Sequence, residues 1–347
     1  MNRKHELAPG YQINRVINGC WQLSQGHSLN GALDMADVKR AFYALVDRGF
    51  TTFDCADIYT GAEDFIGEFV AELKGSAGYS PDELQIHTKY VPDLDRLETL
   101  TFADTERIID RSLRRLNRER LDLVQFHWWD YDIPRCEEVA GHLVRLREKG
   151  KIRNIGLTNF DTSHLAALVE AGVPVVSIQS QYSMFDRRPE RGQLAYCREH
   201  GIAMFCYGTL SGGFLSEKYL GRTDLRPETR SQVKYLQVIE DSLGTAGMAQ
   251  LLALLKRIGD GHGASVSNVA TRYILQQPGV AAAIVGVRNS RHVDDNDRLF
   301  AFELTDGEMA EIRALLDRYP TLEGDPYTLE RTSPRYRGII KMKLNGE

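Results

Sequence analysis

The 347-residue chain is 42% hydrophobic and 26% charged, the balance of a soluble globular protein able to bury a large core. Its net charge of −5 gives no basic footprint for nucleic acid, and no run of about 18 apolar residues offers a membrane span. Five scattered cysteines without a C-x-x-C read as reduced thiols, and Met1–Glu6 lacks the apolar region of a signal peptide, so the cytoplasm is the expected compartment.

Eight short runs rich in β-branched residues follow along the chain: Val16–Trp21, Thr51–Asp54, Leu84–Lys89, Leu121–His127, Ile152–Leu157, Val173–Gln179, Ile202–Tyr207 and Ala281–Val285. The later ones are apolar on successive residues, the mark of parallel strands buried on both faces. Helical periodicity fills the gaps. Val38, Ala41, Phe42 and Leu45 fall at i, i+3, i+4 and i+7, and the segment stops at Gly49. Ile108 to Leu116, Val139 to Leu146 and Ser163 to Val169 repeat the pattern.

Between Tyr207 and Ala281 the spacing stretches well beyond one strand–helix unit. This insertion holds a polar section, Gly221–Ser231, and helices near Met248–Ile258 and Val266–Gln276. Gly259-Asp260-Gly261-His262-Gly263 imitates a dinucleotide turn but follows a helix, so it reads as a loop between helices. Helical segments at Ser290–Leu299 and Thr305–Arg318 precede a polar tail, Pro320–Glu347, whose Ile339, Ile340, Met342 and Leu344 could pack on its own barrel or on a neighbour. The alternation predicts an α/β fold, a (β/α)8 TIM barrel with a long insertion after strand seven and additional C-terminal helices. The chain reads as one domain, with a barrel core of about 11–300 and a C-terminal helix and tail over 301–347.

In such barrels the site lies at the C-terminal ends of the strands. Strand two ends in Asp54 and leads to Tyr59, strand three ends in Lys89, and strand four ends in His127. A tyrosine is a poor acid at neutral pH, and a neighbouring ammonium is expected to draw its pKa down toward the working range. A carboxylate would hold that ammonium in place, and a neutral histidine would orient a carbonyl oxygen by hydrogen bonding. Each residue alone is more often an ion pair or a core group. The four together read as a proton-donating relay.

Phe53-Asp54-Cys55-Ala56-Asp57-Ile58-Tyr59 resembles the F-D-x-A-x-x-Y pattern of the aldo-keto reductases, with Thr88-Lys89 and Gln125-Phe126-His127 matching in order. The resemblance implies that Tyr59 protonates a carbonyl oxygen while a nicotinamide delivers hydride, with Lys89 and Asp54 tuning it and His127 positioning the substrate. It implies NADP(H) as cofactor, NAD(H) being the alternative. Thr158, Asn159 and Gln179 would hold the carboxamide, and Tyr207 would stack on the ring. Gly208, Leu210 and Gly212 fall in a glycine-containing turn suited to a pyrophosphate. Gly286, Arg288, His292, Asp295 and Asn296 fall where the family binds the adenosine phosphate; His292 and Asp295 depart from its usual Arg or Gln and Glu.

Trp21, Trp128, Trp129 and Tyr90 sit just past strand ends and are candidate walls of a substrate pocket, Trp128 foremost. The polar loop Gln22–Asn30 hints at hydroxylated substrates. No H-x-H or H-x-x-x-H occurs, and no metal is expected. The expected partner is a small carbonyl or alcohol, with homo-oligomer formation left open. The alternative function is a nucleotide-sensing subunit with little turnover, as in the potassium-channel β subunits of the same family.

Overall fold

Pro9-Gly10 turns the chain before the first predicted strand, with Gly10 at φ +66. The computed structural model describes residues 2–24, 33–76, 78, 80, 83–222, 224–287, 289–290 and 293–345. Around that turn β1 (Lys4–Ala8) and β2 (Tyr11–Asn14) form an antiparallel hairpin that was not anticipated. All eight predicted runs then become parallel strands of one closed barrel: β3 (Val16–Gly19), β4 (Thr52–Asp54), β5 (Gln85–Tyr90), β6 (Leu121–Phe126), β7 (Ile152–Thr158), β8 (Val175–Gln181), β9 (Ala203–Tyr207) and β10 (Val280–Gly286). β10 closes the ring by pairing with both β9 and β3.

Helices α1 (Met35–Asp47), α2 (Ala62–Lys74), α3 (Phe102–Arg115), α4 (Cys136–Glu148), α5 (Thr162–Glu170) and α6 (Gln193–Glu199) follow β3 to β8 in turn. Their starts are set by local chemistry. Asp34 accepts from two amides at the head of α1, and Thr101 with Asp104 forms a capping box on α3. The predicted stripe Val38, Ala41, Phe42 and Leu45 is wholly buried against the barrel.

The apolar residues divide into two layers. One lies between barrel and helices; the other fills the barrel interior with Ile17, Leu123, Phe205 and Ala282, joined by Leu7, Tyr11 and Ile13 from the hairpin. The hairpin therefore plugs the N-terminal end of the barrel. There the Tyr11 hydroxyl meets His87 Nε2 at 3.1 Å, and His87 stacks on Phe205.

The insertion after β9 contains α7 (Arg230–Asp241), α8 (Gly244–His262) and α9 (Val266–Leu275). Two expectations change here. α7 was unforeseen, and Gly259–His262, expected as loop, is the last turn of α8. A Cβ on Gly259 would sit 2.5 Å from the Ala264 carbonyl oxygen, so this glycine serves a close chain reversal. α10 (Val293–Arg298) and α11 (Asp306–Leu316) match the predicted helices. The tail adds α12 (Thr328–Thr332) and α13 (Pro334–Arg337) and folds back over the C-terminal end of this barrel. Among the described residues no single helix is long and apolar enough to cross a membrane.

The contact between α2 and α3 depends on Gly67, where a Cβ would lie 1.8 Å from the Arg115 carbonyl oxygen. Gly67→Ala must push the helices apart and should cost about 1–3 kcal/mol of stability in urea unfolding. An unchanged midpoint would mean that this contact is not as close in solution.

Candidate active site

Alternation along the strands decides which side chains reach the barrel mouth. Lys89 pairs in register with Gln125, and Thr158 with Gln179, so these side chains belong to one polar layer above the apolar interior. Across that layer the Lys89 Nζ donates to Asp54 Oδ2 at 2.6 Å and to the Cys55 carbonyl at 2.7 Å. Gln125 and Gln179 each donate to Asp54 Oδ1, at 2.7 and 2.8 Å, and Gln179 also donates to Gln125. The carboxylate is thus buried with both oxygens hydrogen-bonded. The ammonium lies 5.1 Å from the centre of the Tyr59 ring.

Asp54, Tyr59, Lys89 and His127 all open onto one cavity of about 690 Å³. His127 Nδ1 lies 3.0 Å from the Thr158 carbonyl oxygen, and its Nε2 is buried without a partner among the described residues. The same cavity is lined by Thr158, Asn159, Gln179, Tyr207, Gly208, Leu210, Gly212, Gly286, Asp295 and Asn296. Arg288 and His292 lie outside the described residues. The Tyr207 hydroxyl donates to Asn159 Oδ1 at 2.7 Å, and Asn159 itself is held at φ +62. Gly208 is held at φ +74, and a Cβ there would lie 2.2 Å from the Tyr235 hydroxyl oxygen.

The profile of the Aldo/keto reductase family matches residues 15–317. The chain belongs to the aldo/keto reductase family. It is accordingly an oxidoreductase. It is 28% identical over 317 residues to the aldo-keto reductase YhdN of Bacillus subtilis, covering 89% of this chain and 91% of that protein. The aldo-keto reductase yakc [NADP(+)] of Schizosaccharomyces pombe is 27% identical, over 87% of this chain and 90% of its own length. Among solved structures, the glycerol dehydrogenase AKR11B4 from Gluconobacter oxydans superposes with a TM-score of 0.75 at 26% identity, covering 91% and 95% of the two chains.

Of the four aromatic residues expected around the reductase pocket, Trp21 and Trp129 line the cavity; Trp128 and Tyr90 do not. The reason is strand parity. Lys89 and His127 point into the mouth, so Tyr90 and Trp128 point outward, where both are fully buried against Phe126. Tyr90 bonds Thr105, and the Trp128 indole donates to the Ile133 carbonyl. Trp129 packs edge-on against His127 at 4.2 Å. Sequence reasoning missed several lining residues: Arg230, Lys234 and Tyr235 from α7, and Tyr327, Ile339, Ile340 and Leu344 from the tail. The apolar residues in the otherwise polar tail were the available signal.

Electrostatics also revise one expectation. Burial pushes the Tyr59 phenol up to about 12, and Lys89 pulls it down by less than that. The hydroxyl therefore stays protonated through neutral pH, a proton donor and not a poised phenolate. Burial disfavours the Lys89 ammonium, but its neighbours, the Asp54 carboxylate foremost, more than compensate and keep it charged. Burial, aided by Arg331, holds His127 down to about 3. A neutral imidazole facing a carbonyl must carry its proton on Nδ1, which leaves Nε2 as a lone-pair acceptor. That reverses the polarity expected for this residue: Nε2 cannot donate to a carbonyl oxygen.

The shift has a stability consequence. The unfolded chain takes up this proton near pH 6.5 and the folded chain only near 3, so this histidine's contribution to stability falls as pH drops through that window. Wild type should lose stability between pH 6.5 and 4 more steeply than His127→Gln, by up to about 1.4 kcal/mol per pH unit. Equal slopes in urea unfolding would mean that the folded site accepts the proton.

Proposed function

We propose that the chain exchanges hydride between NADP(H) and a small carbonyl or alcohol substrate, with Tyr59 as general acid and base. The observation that carries this reading is the convergence of a protonated, partly buried Tyr59, the Lys89–Asp54 pair and the unpartnered His127 Nε2 on one cavity that Asn159, Gln179 and Tyr207 also line. Those three residues fit a nicotinamide. The Asn159 amide nitrogen has no partner among the described residues, since its oxygen is occupied by Tyr207. Gln179 spends its two N–H groups on Asp54 and Gln125, so only its oxygen is left to accept. A donor and an acceptor side by side complement a carboxamide, and Tyr207 supplies the ring face.

Asn159, Gln179 and Tyr207 would hold the reduced nicotinamide, which would supply hydride to the carbonyl carbon. Tyr59 gives its phenolic proton to the carbonyl oxygen, and the Lys89 ammonium stabilises the phenolate left behind. Asp54 keeps that ammonium charged and in place. In the reverse direction the alcohol O–H donates to the Tyr59 phenolate, beside which His127 lines the cavity. NADP(H) in preference to NAD(H) is supported by the name of the fission-yeast relative, and Arg288 is the proposed 2′-phosphate partner. The cytoplasm is the proposed site of action, in keeping with five free cysteines. The nucleotide-sensor alternative has no observation in its favour, and the relatives described above carry the names of enzymes.

Tyr59→Phe removes the proton and keeps the ring. It should retain NADPH binding, read by fluorescence quenching, while reduction of 4-nitrobenzaldehyde falls roughly a hundred- to ten-thousandfold. Full activity in this variant would sink the assignment of Tyr59, and NADPH binding without turnover in wild type would favour the sensor.

A further inference from the structure

The turn from Tyr207 to Gly212 is fastened to α7 by close contacts. A Cβ on Gly212 would lie 2.9 Å from the Tyr235 ring, and Gln232 Nε2 donates to the Gly212 carbonyl at 3.0 Å. Lys234 lies on the same helix and reaches the wall of the cavity. Its ammonium stands 5.6 Å from the centre of the Tyr207 ring, 5.5 Å from that of Tyr327 and 5.9 Å from that of Tyr235. Aromatic rings at such distances attract a cation through their quadrupoles.

This charge belongs to a buried quartet. Lys234 meets Glu330 at 3.1 Å, Glu330 is clamped by Arg188 at 3.1 and 3.2 Å, and Arg188 is paired with Asp186 at 2.7 Å. Two cations and two anions cancel in sum, but not at the cavity. The Lys234 side chain is 11% exposed and lines the cavity, whereas Arg188, Asp186 and Glu330 have no exposure and do not line it. The end of the quartet that reaches the cavity is therefore positive. Lys89 differs, because its partner Asp54 lines the same cavity.

That sign matters to a nicotinamide, whose ring is neutral when reduced and cationic when oxidised. A charge acts through distance, without the angular demands of a hydrogen bond, so an ammonium fixed near Tyr207 acts on a ring that stacks there. Tyr207, already engaged by one cation, is also a weaker platform for a second. We propose that Lys234 discriminates between the oxidation states of the cofactor, favouring NADPH over NADP+ at Tyr207. It is a specificity-determining residue for the hydride carrier, and it eases release of the oxidised nucleotide once hydride has passed to the carbonyl carbon. The inference rests on the cofactor reading above.

The test is binding without turnover, read as quenching of tryptophan fluorescence in the full chain by NADPH and by NADP+. Wild type should bind NADPH more tightly. Lys234→Gln should narrow the ratio of the two dissociation constants roughly three- to tenfold, chiefly by tightening NADP+, while Lys234→Arg keeps it within about twofold. A phosphate-binding or merely structural lysine would change both affinities alike, so an unchanged ratio in Lys234→Gln overturns the proposal. Should that variant fail to fold, Lys234→Met combined with Glu330→Gln removes one charge of each sign and leaves Arg188 matched by Asp186. The double variant should narrow the ratio in the same direction, and an unchanged ratio there counts against the proposal equally. Wild type that binds NADP+ as tightly as NADPH overturns the proposal and leaves the reductase reading standing. Wild type that binds neither nucleotide removes both.

Discussion

The ion pair between Lys89 and Asp54 is the constraint around which the barrel mouth is organised. Both side chains are about one-twentieth exposed, and charges so placed cost more in lost hydration than a bare pair returns. The rest of the price is met by neighbours: the Cys55 carbonyl takes a second ammonium proton, and two glutamines from β6 and β8 fill the far carboxylate oxygen. Those glutamines reach Asp54 from strands that do not adjoin β4, so the network can close only inside a barrel. Removing either charge would leave the other buried and unpaired, a loss of about 3–5 kcal/mol. The pair therefore stabilises the fold only as part of the whole layer, and the layer in turn fixes where Tyr59 meets a positive charge.

The two ends of the barrel solve opposite problems. At the N-terminal end the hairpin brings Leu7, Tyr11 and Ile13 to seal an apolar interior. At the C-terminal end the tail must close a cavity while leaving polar atoms free inside it. It does so through Asn345, whose amide and backbone bond Asp57 and Asp93, and whose neighbour Leu344 also donates to Asp93. Residues 339–344, held between that clasp and the Arg230 contact to the Ile339 carbonyl, form a wall and not a loose end. A wall of this kind lowers the local dielectric, which strengthens every charge interaction at Tyr59.

Legibility in the sequence followed contact range. The eight strands could be read because buried parallel strands announce themselves locally, and Asp54, Tyr59, Lys89 and His127 because each lies at or just beyond a strand end. Trp128 and Tyr90 were misplaced for want of parity: one residue along a strand turns the side chain to the opposite face. Adjacent residues such as Lys89 and Tyr90 therefore cannot share the mouth. The hairpin is two strands of four and five residues, too short for a clear alternation. The tail was illegible for a different reason. Its position is set by bonds such as Arg188 to Glu330 and Asp93 to Asn345, between residues 142 and 252 positions apart, and nothing local reports such a pairing.

Burial here separates two kinds of polar group. The charges of Asp54, Lys89, Arg188, Lys234 and Glu330 are all matched within the protein, and each match holds an element in place. His127 Nε2 is left buried and unmatched among the described residues, and His127 lines the cavity. An unpaired buried polar atom costs about 1–3 kcal/mol, so a fold that leaves one at the cavity wall gives up stability for no structural return. The return is in binding. Asn159 and Tyr327, which line the same cavity, are two of the described non-glycine residues held at positive φ, so backbone strain and the unmatched His127 nitrogen coincide at one cavity. That coincidence is what distinguishes the ligand-facing side of this cavity from the scaffold that holds it.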